Sequence, residues 1–150
     1  MAFPAPSEAP CATCAVFQIT STAQAVRLAL RDVLGHPVMA GLSDDARGTA
    51  QLVLAEALNN IVEHAYDRED GQIDVRLHHS FGRLSCDIVD AGLPMPASEL
   101  PAGLAQAIGK DDDFPEGGFG WFLIRSLTED LTYRRIDARN HLSFKLNIEQ

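Results

Sequence analysis

Leu52-Val53-Leu54-Ala55-Glu56-Ala57-Leu58-Asn59-Asn60-Ile61-Val62-Glu63-His64-Ala65-Tyr66 is the centre of the longest helix that the sequence predicts. Leu54, Leu58, Ile61 and Ala65 recur at three- and four-residue intervals and make one apolar face. Glu56, Asn60 and His64 follow each other at four-residue intervals, so in an α-helix they stack along the other face. Upstream, Ser43 can cap the orphan amides, and Asp44 and Asp45 suit the positive end of the helix dipole. The helix is therefore expected to start after Ser43 and run to about Ala65. Its polar stripe has two readings. One is an ordinary solvated face. The other is a carboxylate and a carboxamide one turn apart, a general base beside an oxygen ligand for a hard cation such as Mg²⁺. The helix alone does not choose between them.

Working outward, Ala15 to Thr20 alternates as a strand, and Ser21 with Gln24 offers a capping box for a helix through about Gly35, ended by His36-Pro37. Gln72 to Ser80 and Arg83 to Asp90 read as two strands around a Phe81-Gly82 turn. Ala91 to Gly118 is irregular, with Pro94, Pro96, Pro101 and Pro115, the acidic run Asp111-Asp112-Asp113, and at most a short helix near Ser98 to Ile108. After Gly120 the apolar spacing predicts a helix to about Asp130. Strands Leu131 to Asp137 and His141 to Ile148 then follow, joined at Ala138-Arg139-Asn140. The sum is an α+β two-layer sandwich, a mainly antiparallel sheet with about three helices on one face. It occupies residues 14–150, after a proline-rich arm over 1–13.

A chain of 150 residues, 46% hydrophobic, has material for one compact core. A net charge of -9 repels polyphosphate backbones, so nucleic acid is excluded as a partner. No apolar run reaches the roughly 18 residues of a membrane span, and three cysteines, an odd number, fit a reducing cytoplasm. Cys11-Ala12-Thr13-Cys14 has no second ligand pair at finger spacing. Cys86 reads as core, His78 and His79 point to opposite faces of their strand, and Trp121 and Tyr133 read as packing residues.

Two further stretches carry chemistry. Asp90-Ala91-Gly92-Leu93-Pro94 places an acid at a strand end and a glycine two residues on, which by itself is a common turn. Glu116-Gly117-Gly118-Phe119-Gly120-Trp121-Phe122-Leu123-Ile124 puts three glycines before an apolar helix, where unhindered amides can surround an anion or simply form a hinge. Together and in this order the three segments resemble the N, G1 and G2 boxes of the GHKL ATPase superfamily, whose nucleotide pocket is a Bergerat-type sandwich. The short chain, the run from Asn60 to Tyr66 and the glycine stretch continuing to Arg125 look most like the stand-alone anti-sigma-factor serine/threonine kinases. The resemblance spans about Val16 to Ile148.

That resemblance implies an ATP-dependent protein kinase that uses Mg²⁺. Asn60 would ligate the metal, Glu56 would orient or deprotonate the attacking serine hydroxyl, and His64 would line the phosphate side. Asp90 would accept from the adenine amino group, Gly92 would admit the ring, and Ser143 would support that contact. Gly118 and Gly120 would bring the backbone to the phosphates, with Phe119 and Trp121 closing the lid. The implied partners are a sigma factor or other regulator, a STAS-type antagonist that the kinase phosphorylates to reset a partner switch, and a second copy of the chain. Two features depart from the wider superfamily: Leu93-Pro94 stands where many members carry another glycine, and Lys110 is the only cation between Asp90 and Gly118. The acidic lid keeps open a different class of function, a nucleotide-gated module that sequesters a regulator without catalysis. A histidine-kinase fragment would need an upstream phosphorylatable histidine, and only His36, beside Pro37, is present in the first 40 residues.

Overall fold

The computed structural model describes residues 13–66, 71–95 and 118–148. Strand β1 (Cys14–Thr20) leads into helix α1 (Ala23–Leu34), a 3₁₀ turn (Pro37–Met39) and helix α2 (Asp44–Asn60), which continues as a π turn (Ile61–Ala65). Strands β2 (Gln72–Ser80) and β3 (Arg83–Asp90) follow, then helix α3 (Gly118–Leu127) and strands β4 (Glu129–Ile136) and β5 (Arg139–Asn147). The sheet order is β1-β2-β3-β5-β4, and every pairing is antiparallel. This is the α+β sandwich that the periodicity predicts.

Side chains alternate across a strand, so each strand has one parity to bury. Ile73, Val75 and Leu77 of β2, Leu84, Cys86 and Ile88 of β3, and Leu142, Phe144 and Leu146 of β5 share the inner face. They join Val26 and Val33 of α1, Val53, Leu54, Ala57 and Leu58 of α2, and Trp121 and Ile124 of α3 in one core cluster. Fully burying each large aliphatic contributes about 1.5–3 kcal/mol, which is why the strand parity is so firmly set. Ser43 caps α2 as expected, its hydroxyl accepting from the Ala46 amide at 3.1 Å. No described helix is long and apolar enough to cross a membrane.

Four local outcomes differ from the sequence expectation. Helix α1 is capped by Thr22, whose hydroxyl accepts from the Ala25 amide at 3.0 Å, while the Ser21 amide donates to the Gly71 carbonyl at 2.8 Å. Helix α3 begins at Gly118 and ends at Leu127, where the Thr128 hydroxyl takes the Ile124 carbonyl. Strand β4 therefore starts at Glu129, and its hairpin closes on Asp137-Ala138, both at positive φ (51° and 63°). That two-residue turn matches the strand twist as the Phe81-Gly82 turn does, and it moves Arg139 and Asn140 from the expected loop into β5. Finally, α2 widens at Ile61: the Tyr66 amide donates to the Ile61 carbonyl five residues back. The expected helix near 98–108 and all of the proline-rich arm except Thr13 lie outside the described residues.

Candidate functional site

Helix α2 and its π turn touch both glycine-bearing segments. At the near end, a Cβ built on Gly120 would stand 2.6 Å from Glu56 Oε2 and 3.6 Å from Asn60 Nδ2. At the far end, a Cβ on Gly92 would stand 2.4 Å from the Ala65 carbonyl oxygen, and the Leu93 amide donates to that oxygen at 2.6 Å. At Gly92 the obstructing atoms are backbone, so only glycine permits the approach, whereas at Gly120 the nearest atom is the tip of the Glu56 side chain. Three stretches separated in sequence by about 30 residues each are thus packed along one helical edge.

Asn60 is 6% exposed, and its Nδ2 has no hydrogen-bond partner among the described residues. A buried amide left unpaired costs about 1–3 kcal/mol until a partner is supplied. A half-turn of the carboxamide exchanges its nitrogen and oxygen, so the same position can offer either a donor or a metal ligand. Glu56, one turn earlier, is partly exposed and lies against the backbone of α3. An orphaned carboxamide, an acid and a glycine that clears space beside both suit an Mg²⁺-bound phosphate group.

Asp90 is 4% exposed at the end of β3. Its Oδ1 accepts from the Gly92 amide at 2.9 Å and from Asn140 Nδ2 at 2.8 Å. Burial pushes the carboxyl above the ordinary carboxylate range, partly offset by those two hydrogen bonds and by the charges of Arg135 and His141. The loop after Asp90 is pinned from several sides. Arg135 donates to the Gly92 carbonyl, Asn140 donates to the Leu93 carbonyl, and the Ala91 amide donates to the Tyr66 hydroxyl. The Tyr66 hydroxyl in turn donates to the Gln72 carbonyl.

The structure places three of the expected residues and corrects one. Ser143 does not support Asp90. It pairs across the sheet with Asp87 and donates to Asp87 Oδ1 at 2.6 Å, because residue 143 has the outer parity of β5 and Asp90 the inner parity of β3. Asn140 is the residue registered opposite Asp90. His64 lies in the π turn, with 60% side-chain exposure and Nε2 3.8 Å from Glu63 Oε2. Trp121 is 4% exposed within the core, so it packs as one reading of the sequence had it. Gly118 opens α3, while the Phe119 side chain lies outside the described residues.

Sequence reasoning missed Asn140, Tyr133, Arg135 and Tyr66. One signal was present: Asn140 shares the parity of Leu142, Phe144 and Leu146, and a polar residue on a buried parity needs a buried partner. A separate cavity of about 320 Å³, lined by Tyr66, Gln72, Asp74, Val89 and Arg139 among others, also reaches Asp90. It excludes Glu56, Asn60, Gly92 and Gly120 and is not the place where those residues converge.

A helix bearing an acid and an orphaned carboxamide, set between a buried strand-end aspartate and a glycine-led helix on an antiparallel sheet, defines the GHKL class of ATPase domain. The family described as histidine kinase-like ATPase domain matches residues 19–146, and the chain belongs to it. Its similarity reaches the stand-alone kinases of that class. Serine/threonine-protein kinase BtrW of Bordetella bronchiseptica is 36% identical over 99 residues, covering 65% of this chain and 68% of that protein. Serine-protein kinase RsbW of Listeria innocua is 28% identical over 117 residues, covering 76% and 74%. The RsbW of Bacillus mycoides is 28% identical over 116 residues, covering 76% and 72%.

Proposed function

We propose that this chain is an ATP- and Mg²⁺-dependent protein serine/threonine kinase of the anti-sigma-factor type. In this reading it acts in the cytoplasm, binds a sigma factor or comparable regulator, works as a homodimer, and phosphorylates a STAS-type antagonist to reset a partner switch. The observation that carries the reading is the approach of Gly120 to Glu56 and Asn60, with the buried Asn60 amide unpartnered among the described residues. The names of the relatives, serine kinases all, support the same chemistry.

In this reading Asn60 holds the metal and Glu56 orients the attacking hydroxyl or takes its proton, a role typically worth 10²- to 10⁴-fold in rate. Asp90 receives the adenine amino group, and Gly118 and Gly120 keep the start of α3 clear for phosphate oxygens. When bound, Mg-ATP supplies the transferable phosphoryl group, and the metal offsets charge that a chain of net charge -9 cannot. Purified protein with labelled ATP and a cognate STAS-domain protein should transfer label to a serine of the latter, and Glu56→Gln should abolish transfer while keeping ATP affinity within a few-fold.

A non-catalytic, nucleotide-gated binding module is the second reading. It is favoured by one feature, Lys110 as the sole cation between Asp90 and Gly118. Under it, the wild type gives no transfer and Glu56→Gln leaves regulator capture unchanged.

A further inference from the structure

Asn140 uses its whole carboxamide. Nδ2 donates to Asp90 Oδ1 at 2.8 Å and to the Leu93 carbonyl at 2.8 Å. Its Oδ1 accepts from the Tyr133 hydroxyl at 2.5 Å and from Arg135 Nη1 at 3.0 Å. The Tyr133 hydroxyl also accepts from the Met95 amide at 2.9 Å, and Arg135 Nη1 also reaches the Gly92 carbonyl at 2.7 Å. One side chain, 5% exposed, therefore ties the strand-end acid to Leu93 directly and to Met95 through Tyr133.

Consider the oxygens of Asp90. Both hydrogen bonds that hold it, from the Gly92 amide and from Asn140, fall on Oδ1. A carboxylate whose Oδ1 carries two donors has its plane set and offers Oδ2 as its other acceptor. A carboxylate oxygen held in place as an acceptor takes an amino group and rejects a carbonyl oxygen in the same place. The discrimination depends on the oxygen being held, because a carboxyl free to turn or to take a proton can meet either group.

We propose that Asn140 is a positioning residue for base selectivity: it presents Asp90 Oδ2 as an amino-selective acceptor and, through Tyr133, holds the stem from Ala91 to Met95 in place. This rests on the nucleotide reading above and goes beyond it, since it assigns two separable roles to one network. Donation from Nδ2 sets which base is accepted. Anchoring by Tyr133 sets how tightly any nucleotide is retained.

The test uses ATP and inosine triphosphate, which differ at the amino group of the base, titrated calorimetrically into the full chain with Mg²⁺. The wild type should prefer ATP. Asn140→Ala should shrink that preference by about tenfold, the scale of one charge-assisted hydrogen bond. Asn140→Leu, of similar size but without the donor, should do the same and serves if the alanine variant folds poorly. Tyr133→Phe should weaken both nucleotides alike and leave their ratio unchanged, a split that a merely structural role does not produce. A discriminating wild type whose two Asn140 variants discriminate equally well overturns this role alone. A wild type that binds neither nucleotide overturns the nucleotide reading and this role with it.

Discussion

A side chain on Gly120 would collide with the carboxylate of Glu56: the two positions come within 2.6 Å of each other, from helices that begin 74 residues apart in sequence. The glycine stretch at the start of α3 is thus shaped by the acid on α2. The obstructing atom is the tip of a flexible side chain, so Glu56 can yield without the backbone moving.

Gly120→Ala should therefore separate stability from activity. Alanine favours a helix interior by about 1 kcal/mol over glycine. Relief of the clash by turning Glu56 away should leave the unfolding midpoint near or above that of the wild type. Phosphotransfer should fall by at least about tenfold, because the displaced carboxylate no longer meets the acceptor hydroxyl. Thermal unfolding beside a single-turnover transfer assay checks both halves.

Asn60→Leu exchanges an unpaired buried amide for an apolar group of similar size. The unpaired amide is unfavourable to the apo fold by about 1–3 kcal/mol, so the variant should unfold at equal or higher denaturant concentration than the wild type. Mg-ATP affinity should fall at the same time, by about 1–3 kcal/mol in calorimetry. A variant that loses stability and keeps its affinity would assign Asn60 to the scaffold.

Asp90 sets a pH dependence whose sign follows from burial. Its folded-state carboxyl lies above the ordinary range, so the folded protein binds the proton more tightly than the unfolded chain does. This contribution to stability is fully present below the unfolded value of about 3.9 and declines as pH rises through the raised folded value. Asp90→Asn removes that titration. The difference in unfolding free energy between wild type and variant should move in the variant's favour as pH rises across this window, measured by urea titration at a series of pH values.

Ser143→Ala should be nearly silent at the site. The residue donates to Asp87 on the outer face of the sheet, and its loss should lower stability by about 0.5–1.5 kcal/mol. Affinity for ATP should stay within about twofold of wild type by calorimetry, in contrast with the Asn140 variants.

Much of the fold was legible because its signals are local. Strands β2 and β3 match the expected bounds, since alternation of Ile73, Val75 and Leu77 and of Leu84, Cys86 and Ile88 is visible within each strand. Ser43 was legible as a cap for the same reason. Ser143 was misplaced because its expected role came from the resemblance, while the parity of Leu142, Phe144 and Leu146 puts it on the outer face. The hairpin turn at Asp137-Ala138 decides which residue of β5 stands opposite Asp90.

What the amino-acid order determined by itself was the type of each element and the succession of the acid-and-amide helix, the strand-end aspartate and the glycine-led helix. These depend on spacing within a few residues, where burial of one face dominates the energy. What only the tertiary structure decided was which polar atoms meet: Asn140 with Asp90, Tyr133 with Met95, and Asn60 with no partner among the described residues. Individual hydrogen bonds contribute about 1 kcal/mol each and alternative pairings differ by less, so the choice falls to the register that the apolar core imposes.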